Sequence, residues 1–391
     1  MTFFLGVDTG GTYTDAVILQ DEEKVIASAK ALTSRQDLAI GISEAVRNVL
    51  NKSSIKPRDI SLVSLSTTLA TNALVEDQGG SVALVFVGFR DGDLTKHKIH
   101  DALKGDPVLK TKGGHNHAGE ETCQLNIEEI KKWILNLDGI SAFAIASQFA
   151  TRNAAHEVKI IELIKGLTDK PITASHQLSS KLNGPRRALT AVLNARLIGI
   201  IDQLISRCEI TLSRMSINAP LMVVRGDGAL ISSSEAREKP IETILSGPAA
   251  SIVGAKWMTD LTLGFVSDIG GTTTDVALLK DGRPALDPAG ARVGNFRTMV
   301  EAVAVRTTGL GGDSQVHFLS EGLKGGLHLG PKRLVPISLL AHQEPQIHDS
   351  LDEQLRTSAP GEYDGKFVRL ISNPVEHSLT SRDMKVLSRI E

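Results

Sequence analysis

The chain has 391 residues, which is long for one hydrophobic core and comfortable for two domains. Its 43 Lys and Arg residues are balanced by 45 Asp and Glu residues, so no basic excess predicts binding to nucleic acid or to an anionic membrane surface. Two distant cysteines, Cys123 and Cys208, exclude a disulfide framework and favour a reducing compartment.

The N-terminus has no basic segment and only a short apolar run, so it does not resemble a signal peptide. No uninterrupted apolar stretch reaches the ~20 residues needed to span a bilayer. We therefore expect a soluble, cytoplasmic protein with no nucleic-acid or membrane partner.

Apolar runs of strand length alternate with amphipathic runs of helix length along most of the sequence, which predicts an α/β fold with largely buried sheets. The predicted strands are Phe3–Asp8, Ala16–Leu19, Ser61–Ser66, Val82–Val87, Ala142–Ala146, Leu221–Val224, Thr262–Asp268 and Val276–Leu279. The predicted helices are Asp37–Asn51, Ala154–Lys165, Gly184–Arg207 and Ala249–Met258, each with apolar residues three and four positions apart.

An internal repeat divides the chain, because VDTGGTYTDAVILQD at 7–21 is answered by SDIGGTTTDVALLKD at 267–281. Copies this far apart predict two related domains that face one another rather than a solenoid of short repeats. We place the domains at 1–177 and 178–391. The sequence at 341–374 is polar and without periodicity, which predicts irregular structure, and the lack of a closing element after it predicts a missing C-terminal portion.

Each copy of the repeat has the composition of a phosphate-binding hairpin. The glycine pairs allow positive φ and close approach of the backbone to an anion, and neighbouring threonine hydroxyls can donate beside them. The residues are Gly10, Gly11, Thr12 and Thr14 in the first copy, and Gly270, Gly271, Thr272 and Thr274 in the second. A single such segment is also typical of an ordinary β-hairpin, but two copies with the same flanking strands favour the phosphate site.

Asp8 and Asp268 end the strands that lead into the two turns. Their carboxylates would repel phosphate unless a cation lies between, so they predict Mg²⁺, which keeps most of its waters and uses few carboxylates. Either carboxylate could also act as a general base toward water or a hydroxyl. Neither a P-loop lysine motif nor a GxGxxG sequence follows the first strand.

With these motifs, the sequence resembles the hydantoinase A and 5-oxoprolinase family of the actin, sugar-kinase and heat-shock-chaperone ATPase superfamily. The similarity covers residues 1–314 and rests on GVDTGGTYTDAV, STTLATNAL at 66–74, LSGPAAS at 245–251 and SDIGGTTTDV. It implies two facing ribonuclease H-like, actin-like ATPase domains with ATP and Mg²⁺ in the cleft between their hairpins. Asp8 and Asp268 would be the catalytic and metal-binding residues.

Further segments match the family less completely. TTGLGGDS at 307–314 resembles its glycine-rich segment, and implies nucleotide contact by Gly311 and Gly312. LSGPAAS predicts a helix capped by Ser246 with Pro248 in its first turn. Arg187, Thr190 and Asn194 share one helix face, which is either a polar face near the site or a solvated face. At 304–306, Ala-Val-Arg departs from the family's Asp-x-His pair, so substrate-side residues stay undefined.

Two polar groups outside the hairpins have ordinary alternatives. The residues His115, His117 and Cys123 could bind zinc, but a glycine-rich loop without a further paired ligand is more typical. RGDG at 225–228 predicts a tight turn, with Asp227 as a candidate substrate-side carboxylate.

The resemblance implies ATP-dependent ring opening of a cyclic amide or imide, such as a hydantoin or a lactam of the 5-oxoproline type. Phosphorylation of the carbonyl oxygen would convert a poor electrophile into a reactive one. The alternatives are a small-molecule kinase, an ATP-using carboxylase subunit and a non-catalytic actin-like or chaperone-like ATP switch. We expect either a homo-oligomer or a hydantoinase B-type partner subunit.

Overall fold

The structure is a computed structural model that describes residues 1–34, 37–319, 326–357, 364–368 and 379–388. Its strands are β1 (Phe3–Thr9), β2 (Tyr13–Gln20), β3 (Lys24–Leu32), β4 (Ile60–Thr67), β5 (Val82–Val87), β6 (Val108–Thr111), β7 (Ala142–Ser147), β8 (Ile172–Ala174), β9 (Leu221–Val224), β10 (Leu230–Ser232), β11 (Gly264–Ile269), β12 (Thr274–Lys280), β13 (Arg283–Pro284), β14 (Arg292–Val293), β15 (Phe296–Arg297), β16 (Val305–Thr308), β17 (Ser314–Leu319) and β18 (Gly326–Arg333).

The α-helices are α1 (Leu38–Ser53), α2 (Leu69–Val75), α3 (Ile99–Leu103), α4 (Ile127–Leu135), α5 (Ala155–Lys165), α6 (Ser175–Leu178), α7 (Gly184–Arg214), α8 (Ser233–Glu238), α9 (Ser246–Thr259), α10 (Ile337–Gln343), α11 (Ile347–Leu355) and α12 (Ser381–Leu387). Every predicted strand and helix is present, with shifted ends. The largest shift is in α7, which continues to Arg214.

The chain divides into two compact units. The first comprises residues 1–268 and 275–306, and the second comprises residues 269–274 and 307–391. The domain boundary predicted at 177/178 falls within the first unit, just before α7, and stays a prediction.

The N-terminal sheet of the first unit has the strand order β10-β9-β4-β1-β2-β3. Strands β1, β2 and β3 form an antiparallel meander, while β4 runs parallel to β1 and β9 runs parallel to β4. Alternation along β1 buries Leu5, Val7 and Thr9 on one face, on which α1 packs. Helix α1 begins where the Asp37 side chain accepts from the Ala39 N–H at 3.0 Å.

A second sheet in the first unit has the order β6-β5-β7-β8, and all of its strand pairs are parallel. All six residues of β5 and all six of β7 are buried, as expected for a parallel sheet covered on both faces. Helix α7 lies on one face, and α4 and α5 lie on the other. The predicted α/β class is therefore confirmed.

Helix α7 is the central helix of the first unit. By length and composition alone it is long and apolar enough to cross a bilayer, but 72% of its most apolar 18-residue window is buried inside the protein. Its burial against the second sheet and against helices α1, α2 and α3 accounts for the apolar sequence.

The second copy of the repeat forms a smaller sheet, in which β12 lies between β11 and β13 and also pairs with β16. In the described part of the chain, no strand pairs with the other edge of β11. Phe265 on β11 is 80% exposed, whereas its repeat equivalent on β1, Leu5, is 0% exposed.

The second unit contains the antiparallel hairpin β17–β18 and the helices α10, α11 and α12. The prediction of irregular structure from residue 341 is wrong for the end of α10 and for α11. Ile347, Leu351 and Leu355 recur every four residues in α11, a helical signal that the surrounding polar residues obscured. Residues 358–363 and 369–374 of the predicted irregular segment lie outside the described residues.

Candidate functional site

The first glycine turn joins β1 to β2 and is closed by one backbone hydrogen bond. The Gly10 N–H donates to the Tyr13 carbonyl oxygen at 3.0 Å. Among the described residues, the N–H groups of Gly11 and Thr12 have no hydrogen-bond acceptor, and a Cβ on Gly11 would meet nothing within 4 Å. These two amides are free to bind an anion, as the glycine-turn interpretation requires.

Asp8 lies one residue before the end of β1, and its carboxyl group is poorly satisfied. Its Oδ1 is buried and has no hydrogen-bond partner, and neither has the Oγ of the neighbouring Ser66. Burial is the main cause that raises the pKa of Asp8. The nearby hydroxyl of Ser66 opposes that rise, whereas the carboxylates of Asp15 and Asp268 add to it.

Asp268 is held near Asp8 by a contact within the first unit. The Ser251 hydroxyl, on α9, donates to Asp268 Oδ2 at 2.7 Å, and Asp268 is close enough to Asp8 to raise its pKa. An unpartnered buried carboxylate oxygen with a second carboxylate nearby fits Mg²⁺, which needs only one or two carboxylates beside water and phosphate ligands. Over the described ranges, no group of three or more His, Cys, Asp or Glu side chains could hold a metal alone.

A cavity of about 550 Å³ opens beside Asp8. We call it the Asp8 cavity. It is lined by Gly6, Val7, Asp8, Asp15, Ala16, Val17, Ser28, Ala29, Lys30, Lys52, Ser64, Ser66, Val224 and Ala250. Sequence reasoning missed Asp15, Lys30 and Ser66, which the pairing of the strands places on the same face as Asp8.

The second glycine turn, in the second unit, repeats the geometry of the first. The Gly270 N–H donates to the Thr273 carbonyl oxygen at 2.9 Å. The glycine-rich segment at 307–314 lies directly on this turn, since Gly312 N–H donates to Gly270 O at 3.0 Å and Asp313 N–H donates to Gly271 O at 2.9 Å. The structure therefore brings Gly311 and Gly312 together with the second turn.

The four threonines of the turns do not have equal access to a ligand. Thr12 and Thr272 are exposed. Thr14 is fully buried with its hydroxyl 3.0 Å from that of Thr33, and the Thr274 hydroxyl donates to the Leu310 carbonyl oxygen at 2.8 Å. Because both of these hydroxyls already have a partner, neither is free for phosphate in this conformation.

The family-like motifs at 66–74 and 245–251 lie against each other. Ser246 Oγ donates to the Thr67 carbonyl oxygen at 2.8 Å and accepts from the Thr67 N–H at 3.3 Å, and the Leu245 N–H donates to Thr71 Oγ1 at 3.1 Å. The prediction that Ser246 caps α9 is therefore wrong. Leu245 is the N-cap residue and makes no side-chain cap, because the Ser246 hydroxyl is used to join α9 to the end of β4.

Arg187, Thr190 and Asn194 lie on α7 as predicted, but their face is not solvated. All three are at least 99% buried. Asn194 donates to Thr173 Oγ1 at 2.9 Å and accepts from the Ile241 N–H at 3.0 Å, so it joins β8 to the segment before α9. A solvated face is thus ruled out.

Arg187 adjoins a buried carboxylate that sequence reasoning missed. Glu157 is fully buried and accepts from the Ser147 N–H at 2.7 Å, from the Ser175 hydroxyl at 2.7 Å and from the His176 N–H at 3.0 Å. Burial lowers the pKa of Arg187, and the charge of Glu157 opposes that shift. This network ties α5, α6 and α7 to the carboxyl ends of the parallel strands.

Two of the remaining candidates, His115 and Asp227, each contact a neighbouring side chain. The His115 ring lies 4.5 Å from the ring of His156, centroid to centroid. Residues 225–228 form the predicted turn, in which Asp227 accepts from the Ala229 N–H at 3.0 Å. The paired guanidinium of Arg225 lowers the pKa of Asp227.

Comparison with protein families gives two matches of the same name. Residues 4–167 match the hydantoinase/oxoprolinase N-terminal region, and residues 187–334 match hydantoinase/oxoprolinase. Caprolactamase subunit alpha of Pseudomonas jessenii is 26% identical over 355 residues, which are 84% of this chain and 50% of that protein. Acetophenone carboxylase gamma subunit of Aromatoleum aromaticum is also 26% identical, over 84% of this chain and 49% of that protein. 5-Oxoprolinase of Dictyostelium discoideum is 24% identical, over 87% of this chain and 31% of that protein.

Solved structures give the same result for the fold. The ATP-dependent caprolactamase from Pseudomonas jessenii superposes with a TM-score of 0.70 at 26% identity, over 84% of this chain and 51% of that one. A nucleotide-free acetone carboxylase superposes with a TM-score of 0.68 at 20% identity, over 84% and 51% of the two chains. The chain spans about half the length of the first two of these relatives. It belongs to the hydantoinase/oxoprolinase family and has that family's α/β fold of the actin-like ATPase type.

Proposed function

We propose that this chain is the ATP-binding part of an Mg²⁺-dependent enzyme that opens cyclic amides, such as hydantoins or lactams of the 5-oxoproline type. The observation that carries the proposal is the unpartnered, buried oxygen of Asp8 beside a glycine turn with two free amides. The similarity to an ATP-dependent caprolactamase supports the choice of a cyclic amide.

In this proposal, Asp8 and Asp268 hold the hydrated metal ion, which supplies charge neutralisation for the phosphates. The amides of Gly11 and Thr12 bind phosphate oxygens at the first turn, and those of the second turn do the same in the second unit. Gly311 and Gly312 stabilise the conformation of the second turn. Catalysis then rests mainly on positioning and on electrostatic stabilisation of the transferred group.

The reaction begins when the amide oxygen attacks the γ-phosphorus and the bond to the β-phosphate oxygen breaks, which releases ADP. Water then adds to the activated carbon, the C–N bond breaks and the amine takes up a proton. A second water releases the carboxylic acid and inorganic phosphate. Asp8 and Asp268 lie near the ends of the strands that precede the two glycine turns, and one of these carboxylates orients a water molecule.

Relatives of comparable identity support a second candidate, an ATP-using carboxylase subunit. The acetophenone carboxylase gamma subunit is as similar to this chain as the caprolactamase subunit is. Both candidates use the same ATP site, so they differ only in the acceptor.

We also propose that the chain works with a partner subunit, since two of its relatives are named as subunits. The open edge of β11 and the 80% exposure of Phe265 support such an association. A homo-oligomer would cover the same surface.

The test is ADP release from MgATP with a panel of hydantoins, 5-oxoproline and caprolactam, and with ketones plus bicarbonate as the carboxylase arm. The purified chain is assayed alone and with a candidate hydantoinase B-type subunit. ADP formation that depends on a cyclic amide, with the ring-opened acid as product, is the expected result. Ring opening without ATP would contradict the proposal, and ADP release that requires ketone and bicarbonate would favour the carboxylase.

A further inference from the structure

The first glycine turn offers amide N–H groups to a polyphosphate but no formal positive charge. A triphosphate site usually adds a cation, as the P-loop lysine does in another fold. The turn itself, Gly10–Tyr13, contains no Lys or Arg. Any protein cation at this turn must therefore come from another element.

Lys30, on β3, is held next to this turn by two contacts. Its ammonium group lies 3.1 Å from Asp15 Oδ1. The same ammonium group lies 4.9 Å from the centroid of the Tyr13 ring, a cation–π distance. Tyr13 is the residue whose carbonyl oxygen closes the turn by accepting from Gly10. The two contacts thus place a positive charge beside the turn.

The strand register places Lys30 in line with Asp8. Lys30 is paired with Asp15, Asp15 with Asp8, and Asp8 with Ser66, across the adjacent strands β3, β2, β1 and β4. Directly paired residues share one face of a sheet, and all four line the Asp8 cavity. The lysine therefore shares a cavity with the carboxylate that we assign to the metal ion.

Lys30 is also accessible to a ligand. Its side chain is 56% exposed and that of Asp15 is 48% exposed. An exposed ion pair of this kind contributes little free energy. The ammonium group has three N–H donors, so it can donate to a phosphate oxygen while Asp15 still accepts from it. Lys52 also lines the cavity, but its ammonium group donates to the Ser28 carbonyl oxygen at 3.2 Å.

We infer that Lys30 is the phosphate-binding lysine of the first glycine turn, with Asp15 and Tyr13 as the residues that position its ammonium group. The inference rests on the proposed ATP-binding function. It assigns the ligand as the triphosphate of a nucleoside triphosphate, and the lysine comes from the third strand rather than from the turn.

The test compares binding of MgATP and of adenosine by isothermal titration calorimetry at constant ionic strength. The variants are Lys30→Ala, Lys30→Arg and Asp15→Asn. The matched control is Lys24→Ala, because Lys24 is an exposed lysine at the start of the same strand and does not line the cavity.

Lys30→Ala should weaken MgATP binding about 10- to 100-fold, the usual effect of losing a charge-assisted hydrogen bond, and leave adenosine binding unchanged. Lys30→Arg should restore most of the affinity. Asp15→Asn should weaken MgATP binding by a smaller factor, because it loosens the lysine without removing it. A purely structural role would instead lower the melting temperature and weaken both ligands equally.

Lys52→Ala is a further variant, and three results would overturn the inference. If Lys30→Ala binds MgATP as tightly as Lys24→Ala does, or if the loss appears with Lys52→Ala instead, Lys30 is not the phosphate-binding lysine, and the proposed function stands. If the unmodified protein binds no MgATP, both the inference and the proposed function fail.

Discussion

Replacement of Gly311 by alanine should disrupt the second glycine turn. A Cβ at this position would lie 2.3 Å from the Gly271 carbonyl oxygen, 2.5 Å from the Gly271 carbonyl carbon and 2.7 Å from the Thr272 nitrogen. All three are backbone atoms of the turn, so no side chain can rotate away to make room. The turn or the segment that carries Gly311 must move.

Overpacking of this kind typically costs about 1–3 kcal/mol, and the backbone contacts place Gly311→Ala near the upper end, at about 2–3 kcal/mol. At 25 °C this corresponds to an increase of about 30- to 150-fold in the equilibrium constant for unfolding of the second unit. The shift should also break the hydrogen bond from Gly312 to Gly270. We therefore expect weaker MgATP binding together with faster amide exchange in residues 269–274.

Gly312→Ala is the matched control, because its Cβ would find the Gly270 carbonyl oxygen only at 3.9 Å. We expect it to change the free energy of unfolding by less than about 0.5 kcal/mol. The assays are urea unfolding, hydrogen exchange and calorimetric titration with MgATP. Equal behaviour of the two variants in all three assays would refute the packing of this segment on the turn.

Three further predictions concern the first unit. Because burial raises the pKa of Asp8, ionised Asp8 opposes folding at neutral pH. Asp8→Asn should therefore raise the melting temperature of the ligand-free protein, by an amount that vanishes as the pH falls below ~4, where the carboxyl group is protonated in both the folded and the unfolded protein. The same variant should abolish MgATP binding. Glu157→Leu leaves buried donors without an acceptor and should lower the free energy of unfolding by about 2–4 kcal/mol in urea, whereas Glu157→Gln should lower it less. Burial raises the pKa of Cys208 to about 12, so a thiol reagent should label exposed Cys123 alone in the native protein and both cysteines in urea.

The geometry of the two turns could be predicted from the sequence because it is local. Two glycines between strand-forming segments fix both the reversal and its closing hydrogen bond, from Gly10 to Tyr13 and from Gly270 to Thr273. The family resemblance predicted nucleotide contact by Gly311 and Gly312, but the contact of this segment with the second turn was found only in the structure. The sequence also does not predict that a side chain at position 311 would clash with the backbone of Gly271 and Thr272, because that clash depends on the folded structure.

The residues that sequence reasoning missed depend on pairing between strands and on burial. Lys30 and Ser66 join Asp8 only through the register of β3, β2, β1 and β4, and no local pattern encodes that register. The polar face of α7 was ambiguous for a related reason. Asn194 is polar in sequence but satisfied inside the protein, since its partners Thr173 and Ile241 lie far away in the chain.

The two copies of the repeat differ in what surrounds them rather than in their turns. In the first copy, β4 pairs with β1, and α1 covers the face that contains Leu5. In the second copy, the edge of β11 has no partner among the described residues, and Phe265 is exposed. An open strand edge with exposed apolar side chains can pair with another chain. Burial of Phe265 by the proposed partner subunit would remove apolar area from water at about 25 cal/mol per Å², which would favour association at the open edge of β11.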